Sequence, residues 1–573
     1  LSGRGSYKHR GMLMNITGAD IIVECLIEEG VDRVFGYPGG QVIPLYDALY
    51  RNKDRIKHIL TAHEQGASHA SDGYARSTGK VGVCIATSGP GATNLVTGLA
   101  TAYMDSVPVV AITGNVPVSL LGKDSFQEVD ITGVTLPITK HNYIVKDIKE
   151  LASTIREAFQ IAKEGRPGPV LVDIPKNIQT ESFEYERTEI KAVERKVSRL
   201  RMQDIEKAVA LIKSSERPMI YVGGGVIRAD ASSELKLFAE IIDSAVGSSL
   251  MGLGAMPSDS PRFTGMIGMH GTKLSNLTIN SCDLLIVIGA RFSDRVISKG
   301  STFASQAKII QIDVDPAEFN KNIESEVHII ADIKAALGLL IKKLEGAELD
   351  HRKWMNMLDA NRIRFPQKVA TEAHRAKEII DALEKALPED RIITTEVGQH
   401  QMWAAQFLKG IKPRRFLTSG GLGTMGYGTG AAIGAQIANP SSRVVNIAGD
   451  GSFRMNCNEL ATIARYNLPV IIVVMNNHTL GMVRQWQSLF FEKRYSETTL
   501  DTPLDWVMLA NAYGVKGMRL TLEDDAEAVI KAAVELNSPV VIDCQIPIDD
   551  KVLPMVAPGA SISDMIGAID KEA

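Results

Sequence analysis

The chain has 573 residues, too many for one hydrophobic core, and about 150 residues per domain leads us to expect three or four domains. Its composition, 45% hydrophobic and 23% charged, suits a globular protein, and a net charge of −4 gives no electrostatic case for nucleic acid or a membrane surface. No apolar run reaches the roughly 18 residues of a membrane span. The five scattered cysteines (Cys25, Cys84, Cys282, Cys457, Cys544) point to buried thiols in a reducing compartment, not to disulfides or a zinc site.

Residues 1–13 are basic, carry no acidic residue and lack the apolar stretch of a secretory signal. They read as a leftover tag or a disordered arm, with Met12 or Met14 as the natural start. A cytoplasmic protein is expected, or an organellar one if these residues are the rest of a trimmed transit peptide.

Thr17 can cap a helix ending near Gly30, after which the strand Val34-Phe35 leads into Gly36-Tyr37-Pro38-Gly39-Gly40. Residues 81–86, 107–113 and 170–174 are continuous, β-branched runs, as in a buried parallel sheet. A charged stretch, 184–201, marks a boundary. The middle third has strands at 219–222, 284–288 and 309–314, each ending in a glycine turn or an acidic residue. A second charged segment, 346–378, reads as a helical linker. The last third has strands at 392–395, 444–448, 470–475 and 540–544. This alternation predicts an α/β protein of three doubly wound, mostly parallel-sheet domains, at 14–183, 202–345 and 379–573.

The chemistry is densest between residues 442 and 477. One apolar strand ends in Gly449-Asp450-Gly451, a helix over 458–466 presents Leu460, Ile463 and Ala464, and a second apolar strand ends in Asn476-Asn477. This β-α-β unit puts Asp450 and Asn477 at the carboxyl ends of parallel strands, where open α/β sheets bind ligands. Carboxylate and amide oxygens suit Mg2+, and the glycines admit a phosphate close to the backbone. A bare Gly-Asp-Gly is commonplace as a turn. The Asn-Asn pair, with 24 residues between Gly451 and Asn476, makes the pattern resemble the diphosphate-anchoring motif of thiamine-diphosphate enzymes. Thiamine's aminopyrimidine needs a carboxyl partner at its ring nitrogen. Glu64, in Leu60-Thr61-Ala62-His63-Glu64-Gln65-Gly66-Ala67, is the best candidate, although a carboxylate at a strand–helix junction is ordinarily a solvated cap.

Further segments carry a closer likeness: Ser88-Gly89-Pro90-Gly91-Ala92-Thr93-Asn94, Asp124-Ser125-Phe126-Gln127-Glu128, Gly165-Arg166-Pro167-Gly168-Pro169, Gly268-Met269-His270-Gly271, Val397-Gly398-Gln399-His400-Gln401-Met402-Trp403 and Gly481-Met482-Val483-Arg484-Gln485-Trp486-Gln487. From Met14 onward the chain resembles the catalytic large subunit of acetohydroxyacid synthase (acetolactate synthase). The resemblance implies that Glu64, Gln127 and Gly40 serve catalysis. It implies that Val397, Gly398, Gln399, His400, Gly423, Met425, Gly449, Asp450, Gly451, Ser452, Asn477 and Met482 line thiamine diphosphate, with Met425 beneath its bent rings. Asp450, Asn477 and the Thr479 carbonyl would hold Mg2+. The cofactor would lie between two chains, giving at least a homodimer, and a small regulatory subunit is the expected partner.

FAD is implied at Arg166, Gly223, Gly224, Gly225, Ser249, Leu250, Met251, Met269, His270, Gly289, Ala290, Arg291, Arg295, Val296, Asp313, Val314, Asp332 and Ile333, without a net redox role. Taken alone, Gly223-Gly224-Gly225 is an ordinary glycine turn. Arg291-Phe292-Ser293-Asp294-Arg295 departs from the family's Arg-Phe-Asp-Asp-Arg by one serine, and Glu396 is a second variable position without an evident consequence. Phe126, Lys176, Arg295 and Trp486 would form the substrate pocket, Trp486 favouring 2-oxobutanoate over pyruvate as acceptor and Arg295 holding its carboxylate. Trp486 and Met425 could equally be plain packing. The expected reaction joins a two-carbon unit from pyruvate to a second 2-oxo acid. The chain has no His-His pair of the kind simple decarboxylases use for protonation. Alternatives are an FAD-dependent pyruvate oxidase, a flavin-free catabolic acetolactate synthase, and a non-catalytic partner that kept the fold.

Overall fold

The computed structural model of the protein describes residues 13–188, 200–366, 374–502 and 504–567. Residues 1–12 of the expected arm, 189–199 of the first charged stretch and 367–373 of the second lie outside the described residues. The chain divides into two compact units, Leu1–Glu194 and Arg195–Ala573.

The first unit is built on a six-stranded parallel sheet: β1 (Arg33–Gly36), β2 (Lys57–Leu60), β3 (Gly82–Ala86), β4 (Val109–Asn115), β5 (His141–Ile144) and β6 (Val170–Pro175). The order is β2-β1-β3-β4-β6-β5. Every residue of β3, β4 and β6 is buried, as continuous apolar runs with helices on both faces require. Thr17 caps the first helix, Gly18–Glu28, by accepting from the Asp20 N–H, and that helix buries Ile21, Ile22, Cys25 and Leu26.

The second unit holds two further parallel sheets. The central one contains β7 (Pro218–Val222), β8 (Ala245–Ser248), β9 (Phe263–Met266), β10 (Leu284–Ile288), β11 (Lys308–Asp313) and β12 (Val327–Ile330), in the order β9-β8-β7-β10-β11-β12. Chain order reverses between β7 and β10, the arrangement whose crevice binds dinucleotides. The last sheet contains β13 (Ile392–Thr395), β14 (Phe416–Leu417), β15 (Val444–Gly449), β16 (Ile471–Asn476), β17 (Lys516–Leu520) and β18 (Val540–Gln545). Its order, β14-β13-β15-β16-β18-β17, repeats that of the first unit's sheet strand for strand. The segment after the central sheet contains a helix, Arg352–Arg364, which buries Trp354 and Leu358 in the apolar cluster behind that sheet. The Trp354 indole N–H donates to the Pro218 carbonyl at 3.0 Å.

Four helices recur below: α1 (Glu64–Thr78), α2 (Gln399–Phe407), α3 (Tyr427–Ala438) and α4 (Gly481–Phe490). Helix α1 begins at Glu64, and its far end is held by charge. Arg76 lies between the carboxylates of Asp72 and Asp105, at 2.6 and 2.9 Å, with both acids fully buried and the arginine nearly so. Losing one partner of a buried pair leaves uncompensated charge. Arg76→Ala is expected to cost about 3–5 kcal/mol, read as an earlier chemical-denaturation transition of the first unit.

Candidate active site

In the first unit the turn that follows β3, Thr87 to Gly91, is a meeting point. A Cβ on Gly91 would lie 2.8 Å from Thr87 Cγ2 and 3.2 Å from Glu64 Oε1, and one on Gly89 would lie 2.8 Å from the Gln127 carbonyl. Glu64 is half-buried, and its Oε2 accepts from Asn94 Nδ2 at 3.0 Å. His63 precedes it as N-cap, accepting from the Gln65 N–H. The Gly39–Gln41 loop rests on the same turn: Gln41 N donates to Thr87 Oγ1 at 3.2 Å, and a Cβ on Gly39 would meet Thr87 Cγ2 at 2.4 Å. Gly40 faces open space. Lys176 opens the short helix Lys176–Thr180 after β6, and Gln179 Nε2 ties this helix to the Gln41 carbonyl at 2.8 Å. The expected residues Gly40, Glu64 and Gln127 are therefore gathered around one turn. Phe126 projects outward, 86% exposed.

In the second unit the ends of β13, β15 and β16 gather a separate set of the expected residues. Asp450 starts a single helical turn after β15 and is buried. Burial pushes its carboxyl up to about 7, against backbone donors from Gly451, Asp450 itself and His478 and against Arg454. The His478 contact shows that the loop after β16 closes on Asp450. Of the two asparagines, Asn476 is structural, with Nδ2 donating to Asp543 Oδ1 at 2.9 Å. Asn477 faces the site. Its Nδ2 donates to Gln399 Oε1 at 3.3 Å, and its Oδ1 accepts from the Thr479 N–H at 3.3 Å. Gln399 is aligned in turn by donating Nε2 to Gln485 Oε1 at 3.0 Å and to the Asp550 carbonyl at 2.7 Å. Gly481, which opens α4, must be glycine: a Cβ there would lie 2.0 Å from Gln399 Oε1 and 2.8 Å from Asn477 Nδ2.

His400, on α2, is buried and held neutral, with burial pushing it down to about 3. Its ring is wedged between two glycines, since a Cβ on Gly398 or Gly449 would come within 2.7 Å of it. Its Nε2 has no hydrogen-bond partner among the described residues. A buried carboxylate held near neutral pH, an orphaned imidazole nitrogen and a glycine cradle fit an anionic group bound through a divalent cation. Asp450, Asn477 and Thr479 are the residues that would hold the cation. Met425 is half-buried between Gly423 (φ +71°) and Gly426 (φ +83°). Met482 and Trp486 are half-buried on α4, where Trp486 packs edge-to-face on Phe490 at 5.6 Å.

Two functional residues escaped the sequence reading. Gln485 is one. It was visible only as a polar residue between Arg484 and Trp486, yet it is buried and also accepts from the Val552 N–H at 2.8 Å. Glu396 is the other. It directly follows β13 with no exposed surface, and its carboxylate accepts from Thr429 N (2.9 Å), Thr429 Oγ1 (3.0 Å) and Ser452 Oγ (3.1 Å). Burial pushes its pKa up, while the donors of Gly428, Thr429 and Ser452 pull it down. Ser452 Oγ also accepts from Gly426 N at 3.2 Å. One carboxylate thus joins the loops of residues 396–400, 423–429 and 449–452. A carboxylate immediately after a buried strand at the sheet's switch point was the available signal.

Around β7 and β10 the backbones touch. A Cβ on Gly223 would lie 2.2 Å from the Gly289 carbonyl and 2.5 Å from Ala290 Cα, and Gly225 and Gly289 both press on Ile333. Ser249 N donates to the Val222 carbonyl at 2.9 Å, and Met251 reaches Gly420, where a Cβ would meet its sulfur at 2.3 Å. Met269 N donates to the Arg295 carbonyl at 2.9 Å, which joins residues 268–270 to 295–296. Ser293 keeps the N-cap position of the short helix Asp294–Ile297. Asp313 ends β11, and Asp332 caps the helix Ile333–Leu344. His270 Nδ1 lacks a partner among the described residues, and burial pushes that ring down to about 4. Leu250, Arg291, Val296 and Val314 lie in these same turns, whereas Arg166 belongs to the first unit, with Nε donating to Ser106 Oγ at 2.8 Å. This glycine-floored crevice fits a dinucleotide.

Removing the Glu396 carboxylate strands several buried donors, each costing roughly 1–3 kcal/mol. Glu396→Ala is expected to weaken thiamine diphosphate binding, titrated with Mg2+ by calorimetry, by at least about tenfold, with Glu396→Gln affected less.

Three models of thiamine pyrophosphate enzymes match the chain in order: the N-terminal TPP binding domain at residues 16–134, the central domain at 205–340 and the C-terminal TPP binding domain at 396–544. The chain is 47% identical over 552 residues to the acetolactate synthase isozyme 2 large subunit of Escherichia coli (strain K12), covering 96% of this chain and 99% of the relative. It is 46% identical over 570 residues to the acetolactate synthase of Arthrospira platensis (96% and 98%), and 44% over 563 residues to the acetolactate synthase large subunit of Pyropia yezoensis (96% and 95%). On the joint strength of the three domain models and this near-full-length identity, the chain belongs to the acetolactate synthase large-subunit family of thiamine-diphosphate enzymes.

Proposed function

We propose that this protein is an acetolactate synthase that takes two 2-oxo acids, releases CO2 from a pyruvate and joins the remaining two carbons to the carbonyl of the second acid. With pyruvate as acceptor the product is 2-acetolactate. With 2-oxobutanoate it is 2-aceto-2-hydroxybutanoate. Both stand at the entry to branched-chain amino acid biosynthesis. The observation that carries the reading is the Gln485–Gln399–Asn477 relay beside buried Asp450, an arrangement suited to one Mg2+ and a diphosphate.

Thiamine diphosphate, when bound, supplies the carbanion equivalent that decarboxylation of a 2-oxo acid requires. The chain's own residues bind, orient and shield. Asp450, Asn477 and the Thr479 carbonyl hold Mg2+. His400 Nε2, kept neutral by burial, is free to meet a phosphate oxygen. Met425 would pack against the bound cofactor and help position it, a proximity effect. Glu64 of one chain holds the proton at the pyrimidine nitrogen of the cofactor bound by a second chain, so the working unit is a homodimer or a pair of homodimers. Gly40, Phe126, Gln127 and Lys176 close the pocket and exclude water. Arg295, with 64% of its side chain exposed and Asp294 beside it at 3.8 Å, is available for the acceptor carboxylate. The glycine-floored central crevice would hold FAD, as a structural group. A small regulatory subunit is the expected partner, consistent with relatives named as large subunits. We place the reaction in the cytoplasm, a reading supported by five free thiols, four of them buried.

Purified protein assayed with pyruvate, thiamine diphosphate and Mg2+ should show a flavin band, acetolactate formation and little oxygen uptake. Stoichiometric oxygen uptake without acetolactate would make it an oxidase. Acetolactate without flavin would make it the catabolic type and give Ser293 a meaning. Glu64→Gln should lower turnover by at least about 100-fold, and unchanged turnover would return the chain to a non-catalytic role. In competition assays, Trp486→Ala should cut the preference for 2-oxobutanoate over pyruvate by roughly tenfold.

A further inference from the structure

Between residues 122 and 127 the chain leaves ordinary backbone conformations three times. Gly122 has φ +73°, Asp124 φ +53° and Gln127 φ +60°. Two of these are non-glycine residues in the left-handed region, which persists only where the surroundings over-determine it. No apolar burial supplies that determination, because Phe126 at the tip is 86% exposed.

The determination comes from two sides. From below, Gly89 presents a bare backbone, and a Cβ there would lie 2.8 Å from the Gln127 carbonyl and 3.1 Å from its Cα. From within, the Glu128 carboxylate reaches back along the loop. Its Oε1 accepts from the Gly122 N–H, and its Oε2 accepts from the Ser125 N–H at 2.9 Å. Glu128 N donates to the Ser125 carbonyl at 2.9 Å, and Ser125 Oγ donates to the Leu120 carbonyl at 3.0 Å. The Ser125 and Gly122 donors hold the Glu128 carboxyl below its ordinary value. Partly exposed glutamates are usually solvated and interchangeable, but this one spans the full width of a strained loop with charge-assisted bonds.

We propose that Glu128 is a positioning residue: its carboxylate holds the 122–127 loop so that Phe126 and Gln127 are presented in one fixed pose, and this pose sets discrimination between acceptor 2-oxo acids. The inference rests on the carboligase reading for the role of those two side chains. The loop-holding itself does not depend on that reading.

The test uses the full chain with thiamine diphosphate, Mg2+ and FAD, comparing wild type with Glu128→Ala, Glu128→Gln and Gly122→Ala. A Cβ on Gly122 meets nothing within 4 Å, so that variant perturbs only the backbone pose. Glu128→Ala should raise the acceptor KM and shift the ratio of 2-aceto-2-hydroxybutanoate to 2-acetolactate by roughly tenfold, with Glu128→Gln intermediate and Gly122→Ala moving the ratio the same way. The thermal midpoint of the cofactor-free protein should stay put, as a surface loop carries little global stability. Hydrogen exchange over residues 120–128 should speed up in Glu128→Ala and nowhere else in the first unit. An unchanged product ratio in both Glu128→Ala and Gly122→Ala, in a wild type that makes acetolactate, overturns the discrimination role. Unchanged exchange overturns the loop-holding, whatever the wild type's activity. A wild type without acetolactate, but with the exchange difference present, fails the carboligase reading and leaves the holding role standing.

Discussion

A carboxylate taken out of water must find donors or a cation, and the crevice between β13 and β15 shows both solutions side by side. Glu396 finds donors: Thr429 and Ser452 close around it from two loops, and it becomes a fixed joint of the protein. Asp450 finds only backbone N–H groups and a more distant arginine, and its carboxyl stays near 7. One acid is internally complete and the other calls for a positive charge from outside. The arrangement of this end of the sheet follows from that difference. The loop after β16 turns back so that the His478 N–H meets Asp450, and Gln399 and Gln485 spend their hydrogen bonds on keeping Asn477 in line.

The first unit's sheet and the last sheet share a strand order, and in each, candidate residues follow the carboxyl ends of the first three strands in chain order, β1, β2 and β3 in one, β13, β14 and β15 in the other. The residues at those ends differ in kind. The first unit offers a carboxylic acid and an amide on a glycine-rich turn. The last sheet offers hard oxygen ligands and a neutral imidazole.

Much of this was legible in the residues. The central strands announced themselves because a buried parallel strand has no polar face: residues 284–288 and 392–395 are the observed β10 and β13 to the residue, and the remaining expected strands differ at their ends by one or two positions. The strands that went unread are β2, β5, β8, β9, β12, β14 and β17. Several are edges with one pairing partner and a wet end, such as Lys57, His141 and Lys516, while β8 (Ala-Val-Gly-Ser) is too small-residued to look like a strand. The expected helix at 458–466 resolves into a tight turn, Cys457–Glu459, and a short helix, Leu460–Arg465, with Leu460 and Ile463 buried and Ala464 half-buried. Asp450, Asn477 and Glu64 could be picked out because metal and proton chemistry constrain their type and spacing. Glu396 and Gln485 could not, because their roles lie in partners 33 to 86 residues away along the chain.

Gly481 carries a consequence for anything built to block this crevice. No side chain can be added there without driving into Gln399 and Asn477. A small molecule that fills the space over Gly481 leans on a surface whose shape cannot be altered by point substitution without displacing the Gln399 and Asn477 side chains. Resistance would have to arise elsewhere, at positions such as Trp486 or Met425, where the side chain is half-buried and replaceable. An inhibitor's durability would then depend on how much of its contact falls on bare backbone and how little on side chains.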